Sequence, residues 1–172
     1  MADRLEQPFL NQINDHLGIA HKVCRLYCQD QEDRADLLQE MLFQLWKSYP
    51  SFGERSSFTT WMYRVCLNTA LTWRKKSIRT NLESLSLSHQ QIPEPTLGHE
   101  EEQRQALFQA IATLSPLNKA IVLLYLDEVS YDEMATITGL TKSNVSVRLV
   151  RIKKELEVQL KKQANSPHNV NS

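Results

Sequence analysis

The stretch "SYDEMATITGLTKSNVSVRLVRIKKEL", Ser130 to Leu156, decides the fold. Ser130 and Glu133 have the spacing of a capping box, in which the serine hydroxyl takes a helix amide proton and the glutamate reaches back to the serine amide. The short helix opened there stops at Gly139, because glycine accepts the left-handed backbone that ends helices. A second helix follows at once. Two helices joined by a three- or four-residue turn containing glycine are the signature of a helix-turn-helix.

Along the second helix Val145, Leu149, Ile152 and Leu156 recur at helical spacing and form the apolar face. Turning about 100° per residue from Val145 places Ser143, Val147, Val150, Arg151 and Lys154 on the outward face. A helix-turn-helix lays its second helix in the major groove of duplex DNA. Arg151 suits a guanine edge or a phosphate and Lys154 a phosphate, while outward Val147 and Val150 suit thymine methyl groups. A plain amphipathic helix with a solvated basic face has the same periodicity; the capping box, Gly139 and the turn length favour DNA.

Working outward, "LSPLNKAIVLLYL" (Leu114 to Leu126) puts Ser115 at an N-cap and Pro116 at the first helical position. Helical patterning begins at Glu101. Before it, "NLESLSLSHQQIPEPTLGHE" (Asn81 to Glu100) is rich in Ser, Gln and Glu and reads as a flexible linker. At ~3.3 Å per extended residue it reaches up to ~66 Å, just under two DNA turns of ~34–36 Å. Upstream, Leu37, Leu38, Met41, Leu42, Leu45 and Trp46 lie on one helix face, with Glu32, Asp33 and Asp36 near its start and Pro50 after its end. An earlier helix is expected over about Leu10–Cys28. The fold expectation is all-α: two small helical domains, 1–80 and 101–163, joined by the linker 81–100, with a disordered tail over 164–172 and the helix-turn-helix in the second domain.

The 172 residues hold 4 glycines and 6 prolines and are 41% hydrophobic, which suits packed helices. No run approaches the ~18 apolar residues of a membrane span, and "MADRLEQPFL" lacks a signal peptide's layout, so a cytoplasmic protein is expected. With 20 basic and 20 acidic residues the formal charge is zero, but the charges are segregated. Ser57 to Thr80 carries five bases and no acid, and Thr141 to Gln163 carries seven bases and two acids. Acids collect at Asp30–Glu40, Glu100–Glu102 and Asp127–Glu133, which implies more than one kind of partner. Cys24, Cys28 and Cys66 are too few for a disulfide framework. His21, Cys24 and Cys28 could share a helix face, but no fourth ligand accompanies them, so buried apolar thiols are expected and no metal or cofactor is assigned.

The segment "SFTTWMYRVCLNTALTWRKK" (Ser57 to Lys76) joins rings to positive charge, as single-stranded nucleic acid requires: bases stack on aromatic faces while cations follow phosphates. Phe58, Trp61, Met62, Val65, Cys66, Thr69 and Trp73 form an apolar stripe, so Trp61 and Trp73 are read as core. Tyr63, Arg64, Asn68 and Arg74 fall off that stripe, and Phe52 and Phe58 lie in or beside the preceding loop. These six are the candidate contacts to unpaired bases.

Three pieces in order resemble a family. "DLLQEMLFQLW" (Asp36 to Trp46), "SFTTWMYRVCLNTAL" (Ser57 to Leu71) and the stretch from Leu114 to Leu156 resemble the polymerase-docking helix and strand-opening segment of region 2, and region 4, of bacterial sigma factors of the extracytoplasmic-function group. The resemblance implies that Asp36, Gln39 and Glu40 contact core RNA polymerase. It implies that the loop from Phe52 to Phe58 captures a base flipped from the −10 strand of promoter DNA, with Asn68 nearby. Ser146, Val147, Val150 and Arg151 would meet the −35 element, and the acidic linker would thread the polymerase. Where the family often has a basic residue, this chain has Ser146 and Val147. An anti-sigma factor is a further partner that the charge segregation permits. Two other readings stay open: a helix-turn-helix regulator of duplex DNA, and a sigma-like decoy that binds polymerase or an inhibitor without starting transcription. No phosphate-binding glycine loop, HExxH or catalytic triad points to an enzyme.

Overall fold

The computed structural model describes residues 2–81 and 98–165, with side chains over 5–78 and 98–165. Among these residues the regular structure is entirely helical. Three helices, α1 (Ala2–Tyr27), α2 (Gln31–Ser48) and α3 (Phe58–Asn81), make one compact unit, with a short 3₁₀ turn over Tyr49–Ser51. A second unit holds α4 (His99–Ala112), α5 (Pro116–Leu126), α7 (Lys142–Asn165) and the start of α6 (Tyr131–Thr138) through Ala135. Of the expected linker 81–100, residues 82–97 lie outside the described residues, while Asn81 ends α3 and His99 and Glu100 open α4; of the expected tail 164–172, residues 166–172 lie outside them and Ala164 and Asn165 continue α7.

In the first unit α1, α2 and α3 pack pairwise. Leu37, Met41 and Leu45 of α2 are buried, as are Val23 and Cys24 of α1 and Met62 and Cys66 of α3, in the core the three helices share. Asp30 caps α2, its carboxylate accepting the amides of Glu32 at 2.9 Å and Asp33 at 3.1 Å. Arg34 ties α2 to the end of α1 by donating to the Cys28 and Gln29 carbonyls, each at 2.8 Å. Helix α1 starts well before the expected Leu10 and carries Pro8 inside it. One proline removes a single backbone donor, and Phe9 anchors this extension: it is buried and meets the Trp46 and Tyr49 rings edge-on, both with centroids at 5.1 Å.

The second unit follows its start signals. The Ser115 hydroxyl accepts the Asn118 amide at 3.3 Å, with Pro116 opening α5. In α6 the capping box closes: the Glu133 amide donates to the Ser130 hydroxyl at 3.2 Å, and that hydroxyl donates to the Glu133 carboxylate at 2.9 Å. Gly139 holds φ +75°, where a Cβ would be strained. Thr141 then caps α7, accepting the Asn144 amide at 3.1 Å. Helices α4 and α5 both pack on α7, and Val145, Leu149 and Ile152 are buried with Ile121 and Leu124 in this unit's core.

Candidate nucleic-acid and polymerase interfaces

Where α2 gives way to α3, the chain gathers rings. Tyr49, Phe52, Phe58 and Trp61 form one cluster, with centroids 5.0 Å apart for Phe52–Trp61, 5.3 Å for Phe58–Trp61 and 5.9 Å for Phe52–Phe58. The connecting loop turns through positive φ at Gly53 and Glu54, which folds Phe52 back toward the start of α3. Ser57 caps α3 by accepting the Thr60 amide at 3.2 Å. All four rings are half-buried, so each keeps some surface for a ligand. Trp61, read from sequence as core, belongs to this cluster, and His16 of α1 closes it at 5.4 Å from Phe58. Four rings between Tyr49 and Trp61 were a visible signal; their convergence depends on the turn.

Two of the six candidate base contacts stand differently from the sequence reading. Tyr63 is buried at 5% exposure, not turned outward, so its ring has no surface for a base. Arg74 is half-buried, with Nη1 enclosed and lacking a hydrogen-bond partner. Its charge acts on Tyr27, whose hydroxyl burial pushes up and Arg74 partly pulls back. The cause is the same for both: α3 packs against α1 and α2 together, so its buried arc is wider than a single stripe. Arg64 and Asn68 are exposed. Asn68 lies roughly 15 Å along the helix from Phe58, at a rise of 1.5 Å per residue. There it lines an α2–α3 groove of about 340 Å³ with Glu40, Gln44, Trp73 and Lys76. Asn68 thus neighbours Glu40 in place of the loop rings.

Asp36, Gln39 and Glu40 are exposed on α2, one turn apart on a single face. Glu40 accepts the Gln44 amide at 2.8 Å. Burial first, then the Asp30 and Asp36 carboxylates, raise the Asp33 pKa, a sign of concentrated negative charge at this helix start. The sequence reading missed Phe43, which is 54% exposed on the same face, one turn beyond Gln39 and Glu40. Apolar spacing alone did not single it out, since it interrupts the α2 stripe.

On α7, Ser143, Val147, Val150, Arg151 and Lys154 are exposed and Ser146 is half-buried. Lys153 turns aside: its ammonium donates to the Tyr125 hydroxyl at 3.0 Å and lies 4.2 Å from that ring's centroid.

His21 is exposed while Cys24 and Cys28 are buried, so the three do not converge. Cys24 donates instead to the Met41 sulfur at 3.7 Å. Burial pushes the thiols of Cys24 and Cys28 up to about 11 and that of Cys66 up to about 12. Since thiolate is the reactive form, native protein at pH 8 should resist iodoacetamide, and denaturant should expose all three cysteines to it. Rapid native labelling, followed by mass spectrometry, would contradict this burial.

The chain thus carries two candidate nucleic-acid surfaces, one ringed and basic, one a helix-turn-helix. Family comparison agrees in order and extent: residues 12–80 match sigma-70 region 2 and residues 104–156 match sigma-70 region 4. The chain belongs to the sigma-70 family, in its extracytoplasmic-function group, and is an RNA polymerase sigma factor. It is 24% identical over 153 residues to RNA polymerase sigma factor SigV of Bacillus subtilis, covering 88% of this chain and 90% of the relative. It is 28% identical over 152 residues to the ECF RNA polymerase sigma-E factor of Escherichia coli, covering 80% of each. Its fold matches the sigma factor RpoE solved with the anti-sigma factor NepR from Bartonella quintana, at TM-score 0.71 and 19% identity, over 92% of this chain and 97% of that one. CnrH, solved with the cytosolic domain of CnrY, matches at TM-score 0.66 and 18% identity, over 96% and 94%. No described helix is long and apolar enough to cross a membrane.

Proposed function

We propose that this sigma factor directs core RNA polymerase to particular promoters in the cytoplasm, opens the −10 region and starts transcription. The α2 face of Asp36, Gln39, Glu40 and Phe43 docks on the polymerase. The Phe52–Phe58 cluster holds a base extruded from the −10 strand, and Arg64 and Asn68 follow the same strand along α3. The exposed face of α7 reads the −35 element. The domains carrying these tasks are 1–80 and 101–163, with α3 and α4 reaching one and two residues into the 81–100 segment between them. The observation that carries the reading is the cluster of Tyr49, Phe52, Phe58 and Trp61 at the head of an α3 that has bases but no acid.

Physics explains why polymerase is needed. Unstacking duplex DNA costs ~1.4 kcal/mol per step, and a chain of zero net charge has little long-range attraction with which to offset it. Docking on polymerase supplies fixed spacing and added positive surface. Two similar folds are known in complexes with an anti-sigma factor or a partner's cytosolic domain, and an inhibitor of that kind is a partner we assign to this chain. The test is in-vitro transcription with bacterial core polymerase on a pool of genomic promoter fragments. New start sites that require the protein are expected, with weak promoter binding by the chain alone. Polymerase binding without any new start would instead favour the decoy reading, and no polymerase binding a duplex-binding regulator.

A further inference from the structure

One turn of α1 touches the ring cluster at two places. The Gln12 side-chain carbonyl accepts the Tyr49 hydroxyl at 3.0 Å, across 37 residues of chain. The Gln12 backbone carbonyl pairs with His16 Nδ1 at 2.9 Å. A carbonyl only accepts, so Nδ1 carries the proton and the imidazole is held in one orientation. That ring lies 5.4 Å from the Phe58 ring, tilted by 51°. Gln12 and His16 are both half-buried. A single helical turn therefore fixes the residue that leads into the loop, Tyr49, and the residue that opens α3, Phe58.

Neither residue is suited to hold DNA itself. No lysine or arginine occurs from Leu5 to His21, and exposed Asp15 stands beside His16, so a phosphate finds no cation there. Their bonds run to the rings instead, and the rings need the support. The loop carrying Phe52 turns through φ +55° at Gly53 and +50° at Glu54, and a non-glycine residue in that region is strained. Apolar rings on such a loop gain by collapsing onto one another, which hides the faces a base would stack on. Ties to a continuous helix oppose that collapse. A preorganised site also has no side chains left to order when the base arrives.

We propose that Gln12 and His16 are positioning residues for base capture: Gln12 fixes Tyr49, His16 fixes Phe58, and α1 thereby holds the cluster in its base-accepting arrangement. The proposal rests on the base-capture reading above and adds α1 to the elements that perform it.

The test measures open-complex formation by the full chain with core polymerase on promoters it activates. Each nucleotide of the −10 strand is made abasic in turn. The captured position is the one whose base matters to the parent protein but not to the Phe52→Ala/Phe58→Ala variant. On intact strands Gln12→Leu and His16→Ala should each lower open-complex formation about two- to tenfold, the range for a side chain that must be ordered on binding. On the template abasic at the captured position neither should cost anything further. Tyr49→Phe, which deletes one oxygen, should match Gln12→Leu, and the two combined should be no worse than either alone. His16→Phe keeps a ring against Phe58 and should restore most of what His16→Ala loses. Either residue loses the role if its replacement costs the same on both templates, as a general loosening of the fold would, or costs nothing on either. Failure of the base-capture reading looks different: no position exists whose base the Phe52→Ala/Phe58→Ala variant ignores, and this proposal then falls with it.

Discussion

Replacing both Phe52 and Phe58 by alanine should nearly abolish initiation on duplex promoters while core polymerase still binds. The two rings lie edge to face at 5.9 Å, and each also touches Trp61. A base stacked on an aromatic side chain is worth ~1–3 kcal/mol, so losing the captured base lowers open-complex formation by roughly five- to 150-fold per stacking contact. The residues proposed to dock on the polymerase sit on α2 and are not altered. Because both rings are half-buried, part of any loss could come from a loosened cluster. A template carrying a pre-opened mismatch at −10 separates the two causes. If the rings offset the cost of extruding a base, the pre-opened template should restore much of the activity. Equal defects on duplex and pre-opened templates, or a fall in polymerase affinity, would count against base capture.

Leu124→Ala should cost the second unit about 2–5 kcal/mol, the usual range for a buried leucine truncated to alanine. Leu124 is fully buried at 0% exposure, and a cavity left between α5 and α7 has few ways to close in so small a core. Total stabilities are of the order of 5–15 kcal/mol, so the loss is a large share. For a unit of this size the thermal midpoint should fall by at least about 8 °C. Transcription that depends on the −35 element should fall with it at physiological temperature. Leu126→Ala is the matched control: this leucine is 54% exposed, and its loss should move stability by no more than about 0.5 kcal/mol. Similar midpoints for the two variants, followed by circular dichroism, would refute the packing described for α5.

Local signals made much of the chain legible. Ser115, Pro116, the Ser130–Glu133 pair and Gly139 act within a few residues of themselves, and each does in the structure what its chemistry demands. The recognition helix was equally readable, since one flank of α7 is buried and Val145, Leu149 and Ile152 mark it. Helix α3 was harder. Its residues answer to two neighbours, α1 and α2, so a wheel drawn for one partner left Tyr63 outside a core that encloses it. Arg74 was misplaced because its surroundings, including Tyr27 at the end of α1, are far away in sequence. The same holds for Trp61 and His16, which join the Phe52–Phe58 cluster through tertiary packing. The sequence reading began α1 at about Leu10; the helix starts earlier, and Phe9 is held there by rings of α2 and the turn after it that are distant in sequence.

The division of labour along α7 has an evolutionary consequence. Val145, Leu149 and Ile152 keep the helix seated, whereas Ser143, Val147 and Val150 contribute little to that seating. Substitutions at the latter three can therefore accumulate with little penalty in folding. On the proposed reading of α7, a lineage carrying this scaffold can redirect its regulon one outward side chain at a time, retaining the proposed polymerase contacts while the set of genes it commands changes.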